Sequence, residues 1–553
     1  MSPRLPTYLS RLFPLLILLV ACSGPAEEPE SDSTATLAAV PTATAPLATA
    51  TSAPIEPLTA ATPTAVAAQA TATDPPAPPA SATPIPQATA LPWPTEAPTP
   101  WVPDERPLDQ QVDLPDIVSH YAIHLANVDL DARVVEASQV VTVQEFRAGV
   151  PEQLYFQMLP AGYGFNTVLG VTLAGQPLDI QLINDGFTLV VPLPRESAAP
   201  LEIGIDFRLD LGLDSEGWGY TGFDTDVMRL GFWNPLISNA HGFSETFDPF
   251  YGRVAAFDVT LDVEPGAVVA HSGEQTGSEQ LPDGRVRYYY TAENVRDFDF
   301  AISRTYTMAS TVSASGVLIE YYWRAGLAPD VSAQVLAAAA DAVDQLTNLV
   351  GPYPWPTLRI ADAGPNMPGG IEFANLIYIN PAYDPLERLV YHEVGHMWLY
   401  LIIGNRTLDD GWIDEGGAEF FERGLPTGFS EVPPVPEGGY QWPLDSSVDE
   451  IPYVWPDWYY AIYEQGARLY YAVLDAMGWD AFWVAMQELY ERFAFGIVTA
   501  YDLLRIWQRN SPVDLRPLYH EYFRYDWIDA IPEPGVSAVQ GWIPIAPQVT
   551  PQP

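Results

Sequence analysis

Two histidines four residues apart, His392 and His396, flank a carboxylate, Glu393, in one short stretch of the chain. On an α-helix, side chains four apart leave the same face, so both imidazoles can bind one metal ion. Zinc accepts imidazole nitrogen and carboxylate oxygen, and its catalytic sites use three protein ligands and a water. Glu393 follows the first histidine, where a general base for that water is needed. The stretch therefore predicts the centre of a zinc hydrolase with one ion per chain.

Glu415 is the candidate for the third zinc ligand. It follows His396 after eighteen residues, enough for the first helix to end, a loop to turn and a second helix to present a carboxylate. Glu419 lies one turn further along the same face. We expect Glu419 to accept the second ring proton of a liganding histidine, with a solvated helix charge as the alternative.

The helix that carries the histidines is predicted to begin near Asp384. Asp384 can cap it, Pro385 suits its first position, and Glu387 stands three after the cap as in a capping box. Gly395 in mid-helix costs ~1 kcal/mol relative to Ala. We expect a glycine there because another backbone or the ion comes close.

Four motifs follow one another along the chain: Gly369-Gly370-Ile371-Glu372-Phe373, Tyr391-His392-Glu393-Val394-Gly395-His396-Met397-Trp398, Trp412-Ile413-Asp414-Glu415-Gly416-Gly417-Ala418 and Tyr463-Glu464-Gln465-Gly466-Ala467. In this order they resemble the aminopeptidase N and leukotriene epoxide hydrolase family of gluzincins, in its short bacterial form. The resemblance covers roughly residues 115–530. It implies an N-terminal antiparallel β saddle or sandwich domain, followed by a thermolysin-like, mostly α-helical zinc peptidase domain.

The resemblance also implies a substrate-binding role for the first motif. Gly369, Gly370 and Glu372 would lie on an edge strand beside the metal, which pairs with an extended substrate. Glu372 would bind a free N-terminal ammonium, which makes the enzyme an aminopeptidase rather than an endopeptidase. The chain departs from the family at Phe373, which replaces Asn, and at Ile371, which replaces Met.

The last motif makes Tyr463 the candidate donor to the oxyanion of the tetrahedral intermediate. The assignment depends on the adjacent Gly466-Ala467. Tyr459, Tyr460 and Tyr470 lie in the same helical stretch and are rivals for this role.

Residues 1–22 are predicted to be an export signal, with a positive start and a short apolar core. The signal ends in Leu-Val-Ala-Cys, which resembles a bacterial lipobox, and Cys22 is the only cysteine. Lipidation of Cys22 would hold the protein on an extracytoplasmic membrane face of the cell envelope. Residues 23–105 are rich in Pro, Ala and Thr and are predicted to be a disordered tether.

Residues 106–310 are predicted to form the β domain, because short alternating runs recur between turn signals. The clearest run is Leu201–Leu209, and Asp185-Gly186 and Asp283-Gly284 indicate hairpins. Residues 311–531 are predicted to form the catalytic domain, and residues 532–553 a Pro-rich tail.

Composition excludes one class of partner. The chain has a formal net charge of −46, which repels nucleic acid and anionic membrane surfaces and attracts cationic peptides. No nucleic-acid partner is therefore expected.

These observations together predict a membrane-tethered zinc metallopeptidase whose partner is a peptide or protein substrate with a free N-terminus. Two alternatives remain open at this point. One is a non-catalytic, zinc-containing surface binding module, against which the intact Glu393 argues. The other is an endopeptidase or a non-peptide hydrolase with the same zinc centre.

Overall fold

The structure is a computed structural model that describes residues 106–212, 220–241, 251–327, 329–448, 450–451 and 456–534. The predicted export signal with Cys22, the predicted tether and almost all of the predicted tail lie outside the described residues. Within the described part of the chain, every helix is too short or too polar to cross a membrane.

The first part of the described chain, residues 106–303, is built from strands and is called the β region. Its strands are β1 (Ile117–Asp129), β2 (Val134–Phe146), β3 (Gln153–Gln157), β4 (Asn166–Leu173), β5 (Gln176–Leu178), β6 (Gln181–Ile183), β7 (Thr188–Pro192), β8 (Leu201–Asp210), β9 (Thr221–Asp224), β10 (Val227–Leu230), β11 (Leu236–Ser238), β12 (Ala255–Val263), β13 (Val268–His271), β14 (Glu274–Gln280), β15 (Val286–Val295) and β16 (Phe300–Ser303). One helical turn, α1 (Leu159–Gly162), follows β3.

These strands form three sheets. The largest has the order β14-β15-β12-β1-β2-β8-β4-β5, and the two smaller sheets have the orders β13-β16-β10-β9 and β11-β3-β7-β6. Among the described pairs of the β region only β1 and β12 are parallel. Strand β8 buries every second residue, as its sequence alternation predicts. Both predicted hairpins are present, joining β6 to β7 and β14 to β15.

A five-stranded sheet opens the second part, residues 306–531, which is called the helical region. Its strands are β17 (Tyr306–Val312), β18 (Leu318–Arg324), β19 (Thr357–Asp362), β20 (Gly370–Phe373) and β21 (Leu376–Ile379), in the order β17-β18-β19-β21-β20. The sheet begins at Tyr306, so the predicted boundary after residue 310 falls inside its first strand. Among the described strands, β20 pairs only with β21 and is an edge strand, as predicted.

The rest of this region is helical. Its helices are α2 (Pro329–Leu349), α3 (Leu386–Gly395), α4 (Thr407–Asp410), α5 (Glu415–Thr427), α6 (Asp457–Tyr459), α7 (Gln465–Met477), α8 (Trp479–Phe493), α9 (Ala500–Asn510) and α10 (Arg516–Tyr522). A π-helical turn, Tyr460–Glu464, joins α6 to α7. The predicted fold class, a β domain followed by a mostly helical domain, is confirmed.

The two regions share one apolar core. Phe373 of β20 is fully buried, and its ring packs edge-on against Phe232 of the β region at 5.2 Å between centroids. It also packs against Tyr378 of β21 at 4.7 Å. The edge strand β20 therefore packs against the β region through Phe373.

Candidate metal centre

Three side-chain atoms converge in a buried position between α3 and α5. His392 Nε2 lies 3.1 Å from Glu415 Oε2 and 3.1 Å from His396 Nε2, and His396 Nε2 lies 3.2 Å from Glu415 Oε2. The three residues are at most 9% exposed. Three predicted ligands thus form a nearly equilateral triangle of donor atoms.

The two helices place these residues by their ends. His392 lies in the last turn of α3 and His396 directly follows it, while Glu415 opens α5. The Asp414 side chain accepts the Glu415 N–H at 2.8 Å, which anchors the start of α5. A Cβ atom on Gly395 would lie 3.4 Å from the Ala418 Cα of α5. The expected close backbone approach at Gly395 is therefore confirmed.

The predicted cap of α3 was wrong. The helix begins at Leu386, its N-cap position is Pro385, and no side chain caps it. Asp384 lies one residue too early, because an extended Pro385 separates it from the first helical residue.

The donor set fits zinc. A tetrahedral ion with bonds of 2.0–2.1 Å to its ligands separates neighbouring donor atoms by about 3.3–3.4 Å, close to the observed triangle. Two imidazoles and one carboxylate are also donors that catalytic zinc uses. The described residues thus offer three protein ligands of suitable type and spacing.

The electrostatics of the triangle point the same way. Burial raises the pKa of Glu415, but the two histidines outweigh it and hold that pKa at about 2. Burial lowers the pKa of His396, but Glu372 and Glu415 outweigh it and raise that pKa to about 10. The site therefore stabilises positive charge next to a carboxylate, as a divalent cation requires.

Glu393 lies on α3 beside His396 and Glu372, with one carboxylate oxygen unpaired among the described residues. It is 3% exposed, and its buried Oε2 has no hydrogen-bond partner among the described residues. Burial, followed by the nearby Glu372, raises the pKa of Glu393 to about 8 against the opposing effect of the histidines. A carboxylate of raised pKa with a vacant lone pair is suited to accept a proton.

Glu372 lies on the edge strand β20, close to Glu393 and His396. It is 8% exposed, and its carboxylate lies within 4.8 Å of ligand atoms of Glu393 and His396. Burial is the main cause that raises the pKa of Glu372. Along β20, Glu372 and Phe373 point to opposite faces, so the Phe373 that replaces the family's Asn turns into the core.

The two glycines of the first motif differ in their surroundings. A Cβ atom on Gly370 would overlap the Glu393 carboxylate, whereas one on Gly369 would meet only Leu389 Cδ1, at 3.9 Å. The Gly369 carbonyl accepts the Asn380 N–H at 2.8 Å. Gly370 is therefore the residue whose missing side chain makes room for Glu393.

Tyr463 is the candidate tyrosine that touches the triangle. Its hydroxyl donates to Glu415 Oε1 at 2.5 Å, and its ring lies nearly parallel to that of His392 at 6.1 Å. It sits in the π-helical turn, a feature frequent at functional sites. The rivals Tyr459 and Tyr470 donate instead to Glu419 and to the Ile413 carbonyl.

Two glycines bring Tyr463 and Glu415 together. A Cβ atom on Gly416 would lie 2.6 Å from the Gly466 Cα, so α5 and α7 cross with their backbones in contact. Gly416 directly follows Glu415 at the start of α5, and Gly466 comes three residues after Tyr463. The glycine in the last motif thus has a packing reason that its sequence position alone does not reveal.

Glu422, which the sequence analysis missed, lies nearest to the second nitrogen of His392. Its Oε2 is 3.3 Å from His392 Nδ1. Glu419, expected at this place, instead accepts hydrogen bonds from Arg423 Nε at 2.6 Å and Tyr459 at 3.3 Å. A signal for Glu422 was available, because it lies seven residues, two helical turns, after Glu415 on the same face.

Comparisons with known proteins were made on sequence and on structure. No protein-family model matches the chain. Leukotriene A-4 hydrolase from Xenopus laevis is 30% identical over 81 residues, a match that spans 14% of this chain and only 13% of the frog protein.

The structural matches are far more extensive. The M1 zinc metallopeptidase from Deinococcus radiodurans superposes with a TM-score of 0.56 at 16% identity, covering 77% of this chain and 98% of that one. A mutant of that enzyme bound to a Tyr-Ser-Ala substrate superposes with a TM-score of 0.54 at 17% identity, covering 71% and 90%. The chain thus has the two-domain fold of the M1 zinc metallopeptidases, and the predicted resemblance to the aminopeptidase N and leukotriene epoxide hydrolase family is confirmed.

Proposed function

We propose that the protein is a zinc-dependent metallopeptidase, and specifically an aminopeptidase that releases N-terminal residues from peptides. The observation that carries this proposal is the triangle of His392, His396 and Glu415, with the unpaired oxygen of Glu393 beside it. A site that had lost its catalytic activity would not need a general base, and this argues against a non-catalytic binding module.

When bound, zinc polarises the scissile carbonyl and lowers the pKa of the attacking water. The chain's own residues do the rest. Glu393 takes the water proton at its free Oε2 and passes it to the leaving amine nitrogen. Gly370 leaves the space in which this carboxylate sits, so proton acceptor and edge strand are held in contact.

Tyr463 supplies the second stabilising contact. We expect its hydroxyl, which donates to Glu415 in this structure, to donate to the oxyanion of the tetrahedral intermediate during the reaction. Loss of one such donor typically raises the barrier by ~3 kcal/mol. Two contacts hold Tyr463 near the proposed ligands. Its ring lies nearly parallel to that of His392, and the backbones of α5 and α7 touch at Gly416 and Gly466.

Glu372 supports the exopeptidase assignment. A substrate that pairs with the edge strand β20 in extended form would bring its N-terminus towards this buried carboxylate. A charge-assisted bond to the ammonium would then fix which peptide bond reaches the centre. A mutant of the Deinococcus enzyme was solved with a Tyr-Ser-Ala substrate, which supports a peptide substrate for this chain.

We further propose that Cys22 is lipidated and that residues 23–105 tether the catalytic part to the extracytoplasmic face of a bacterial membrane. This proposal rests on the sequence alone. Replacement of Cys22 by Ser should move the protein from the membrane fraction to the soluble fraction. Retention of the variant in the membrane fraction would argue against the anchor.

A single set of measurements tests the catalytic proposal. Purified protein should contain one zinc per chain and hydrolyse a short peptide. Glu393→Gln should retain the zinc and lose the hydrolysis, because the amide cannot accept the water proton. Hydrolysis that persists in this variant would contradict the assigned mechanism.

A further inference from the structure

The dipeptide Arg296-Asp297 of the β region reaches across to the helical region. Arg296 is 5% exposed and follows β15 directly. Its guanidinium donates to the carbonyl of Tyr400 through Nε at 2.6 Å and to that of Gly496 through Nη2 at 2.8 Å. A third bond runs from Nη1 to the Gly252 carbonyl at 2.7 Å. One buried cation thus holds three separate backbone segments together.

Asp297 adds a second connection. Its Oδ1 accepts the Ala374 N–H at 2.7 Å, and its Oδ2 accepts the Tyr400 hydroxyl at 2.5 Å. Ala374 comes two residues after Glu372, at the end of the edge strand β20. Tyr400 comes four residues after His396. One carboxylate of the β region therefore joins the strand that carries Glu372 to the segment that follows the second histidine.

Tyr400 is held in a backbone conformation that non-glycine residues rarely adopt. Its φ is 146°, a backbone conformation that is strained for a residue with a Cβ. Such strain persists only where surrounding contacts over-determine it. Here Arg296 holds the Tyr400 carbonyl, Asp297 holds its hydroxyl, and its N–H donates to the Ile403 carbonyl at 3.0 Å.

The strained residue is next to the partner of a metal ligand. The Leu399 carbonyl lies 3.2 Å from His396 Nδ1 and accepts its ring proton. That bond leaves Nε2 as the free nitrogen that points at His392 and Glu415. The orientation of the Leu399 carbonyl depends on the backbone of Tyr400, because the two share a peptide unit.

We propose that Arg296 and Asp297 are positioning residues for the metal centre, acting through Tyr400 and Leu399 on the His396 imidazole. The same Asp297 carboxylate holds the end of the edge strand through Ala374, so the β region positions both His396 and the strand that carries Glu372. The inference rests on the proposed zinc site. It adds that His396 is held in the orientation for zinc binding only when the β region packs against the helical region.

The direct test is Tyr400→Phe, which keeps the ring and removes the hydroxyl that donates to Asp297. Tyr519→Phe is the matched control, since Tyr519 is fully buried and donates one bond of 2.9 Å to the Leu504 carbonyl. Zinc affinity is measured by competition with a chromophoric chelator, and the Co²⁺-substituted protein is examined by visible absorption. Thermal unfolding of the metal-free proteins gives the stability of each variant.

We expect Tyr400→Phe to bind zinc about tenfold more weakly than wild type, at the lower end of the effect of outer-shell substitutions. Its Co²⁺ spectrum should shift, whereas Tyr519→Phe should retain the wild-type affinity and spectrum at a similar loss of thermal stability. Asp297→Asn, which removes the charge, serves as second variant and should weaken zinc at least as much.

The possible failures are distinguishable. Wild-type protein without zinc affinity would refute the proposed function. Wild-type affinity in Tyr400→Phe and Asp297→Asn, with an unchanged Co²⁺ spectrum, would overturn the positioning role while leaving the function intact. Equal weakening in Tyr519→Phe would likewise overturn it, because the effect would then follow stability alone. Should Tyr400→Phe not fold, Asp297→Asn decides by the same criteria.

Discussion

Gly370 of the edge strand lies directly against the carboxylate of Glu393, at a distance that leaves no room for a Cβ atom. The strand that is proposed to bind the substrate is therefore in contact with the proposed general base. A peptide paired with β20 would present its scissile bond beside the oxygen that takes the water proton. This contact makes the first motif part of the catalytic geometry as well as a binding edge.

Gly370→Ala should therefore impair catalysis without removing the metal. A displacement of a catalytic group by ~1 Å can cost about 100-fold in rate, and we expect a loss of kcat of this order. Zinc content should stay at one per chain, because the side chain that a Cβ at Gly370 would overlap is that of Glu393, which is not one of the three proposed ligands.

Gly277→Ala is the control for that variant. Gly277 also lies in an edge strand, β14, but its Cβ would meet only ordinary contact with Tyr289 at 3.6 Å. Equal activity of the two variants would show that Gly370 makes no special room for the base.

Tyr463→Phe should lower kcat about 100- to 1,000-fold with KM and zinc content little changed, since the hydroxyl is needed in the transition state. Steady-state kinetics on a short peptide measures this. Tyr470→Phe removes a hydroxyl that bonds only to the Ile413 carbonyl among the described contacts, and it should keep most of the activity. The reverse ranking would reassign the oxyanion donor.

Glu422→Gln should weaken zinc binding about 10- to 100-fold, because Glu422 is the carboxylate nearest to His392 Nδ1. Glu419→Gln should affect zinc less, since Glu419 bonds to Arg423 and Tyr459 instead. Chelator competition on both variants compares them directly. A larger effect from Glu419 would restore its predicted role as the outer partner of the histidine.

Protonation of His271 in the unfolded chain should lower the free energy of unfolding as the pH falls. Burial lowers the pKa of His271 well below its usual value, so the folded protein keeps it neutral while the unfolded chain protonates it below pH ~6.5. Its contribution to the free energy of unfolding is therefore present above pH ~6.5. It declines by up to ~1.4 kcal/mol for each pH unit between that value and the folded pKa.

Denaturant unfolding of wild type and His271→Gln from pH 7.5 to 5 tests this titration. The advantage of wild type over the variant should shrink as the pH falls. Parallel curves for the two proteins would mean that His271 does not titrate differently in the folded and unfolded states.

Spacing predicted much of the site. The positions of His392, His396 and Glu415 follow from helical periodicity and loop length, which are local properties of the chain. Alternation likewise predicted β8, whereas the edge position of β20 was implied by the family resemblance. These features depend on residues close in sequence, so they can be read without tertiary contacts.

The outer partners could not be predicted in this way. Glu419 and Glu422 share one helix face, and the angle between α3 and α5 decides which of them reaches His392. The hydrogen bond between Tyr400 and Asp297 joins residues that are 103 apart in sequence, and no local sequence pattern indicates it. The cap of α3 was misplaced because Asp384 and an extended Pro385 are both compatible with a helix start in sequence.

The measurement that tests the central claim most directly compares one peptide with a free and with an acetylated N-terminus, using zinc-loaded wild type and Glu372→Gln. We predict that wild type releases the first amino acid from the free peptide and leaves the acetylated one intact. Glu372→Gln should raise KM for the free peptide, because the amide cannot form an ion pair with the ammonium. Cleavage of the acetylated peptide at internal bonds would contradict the aminopeptidase assignment.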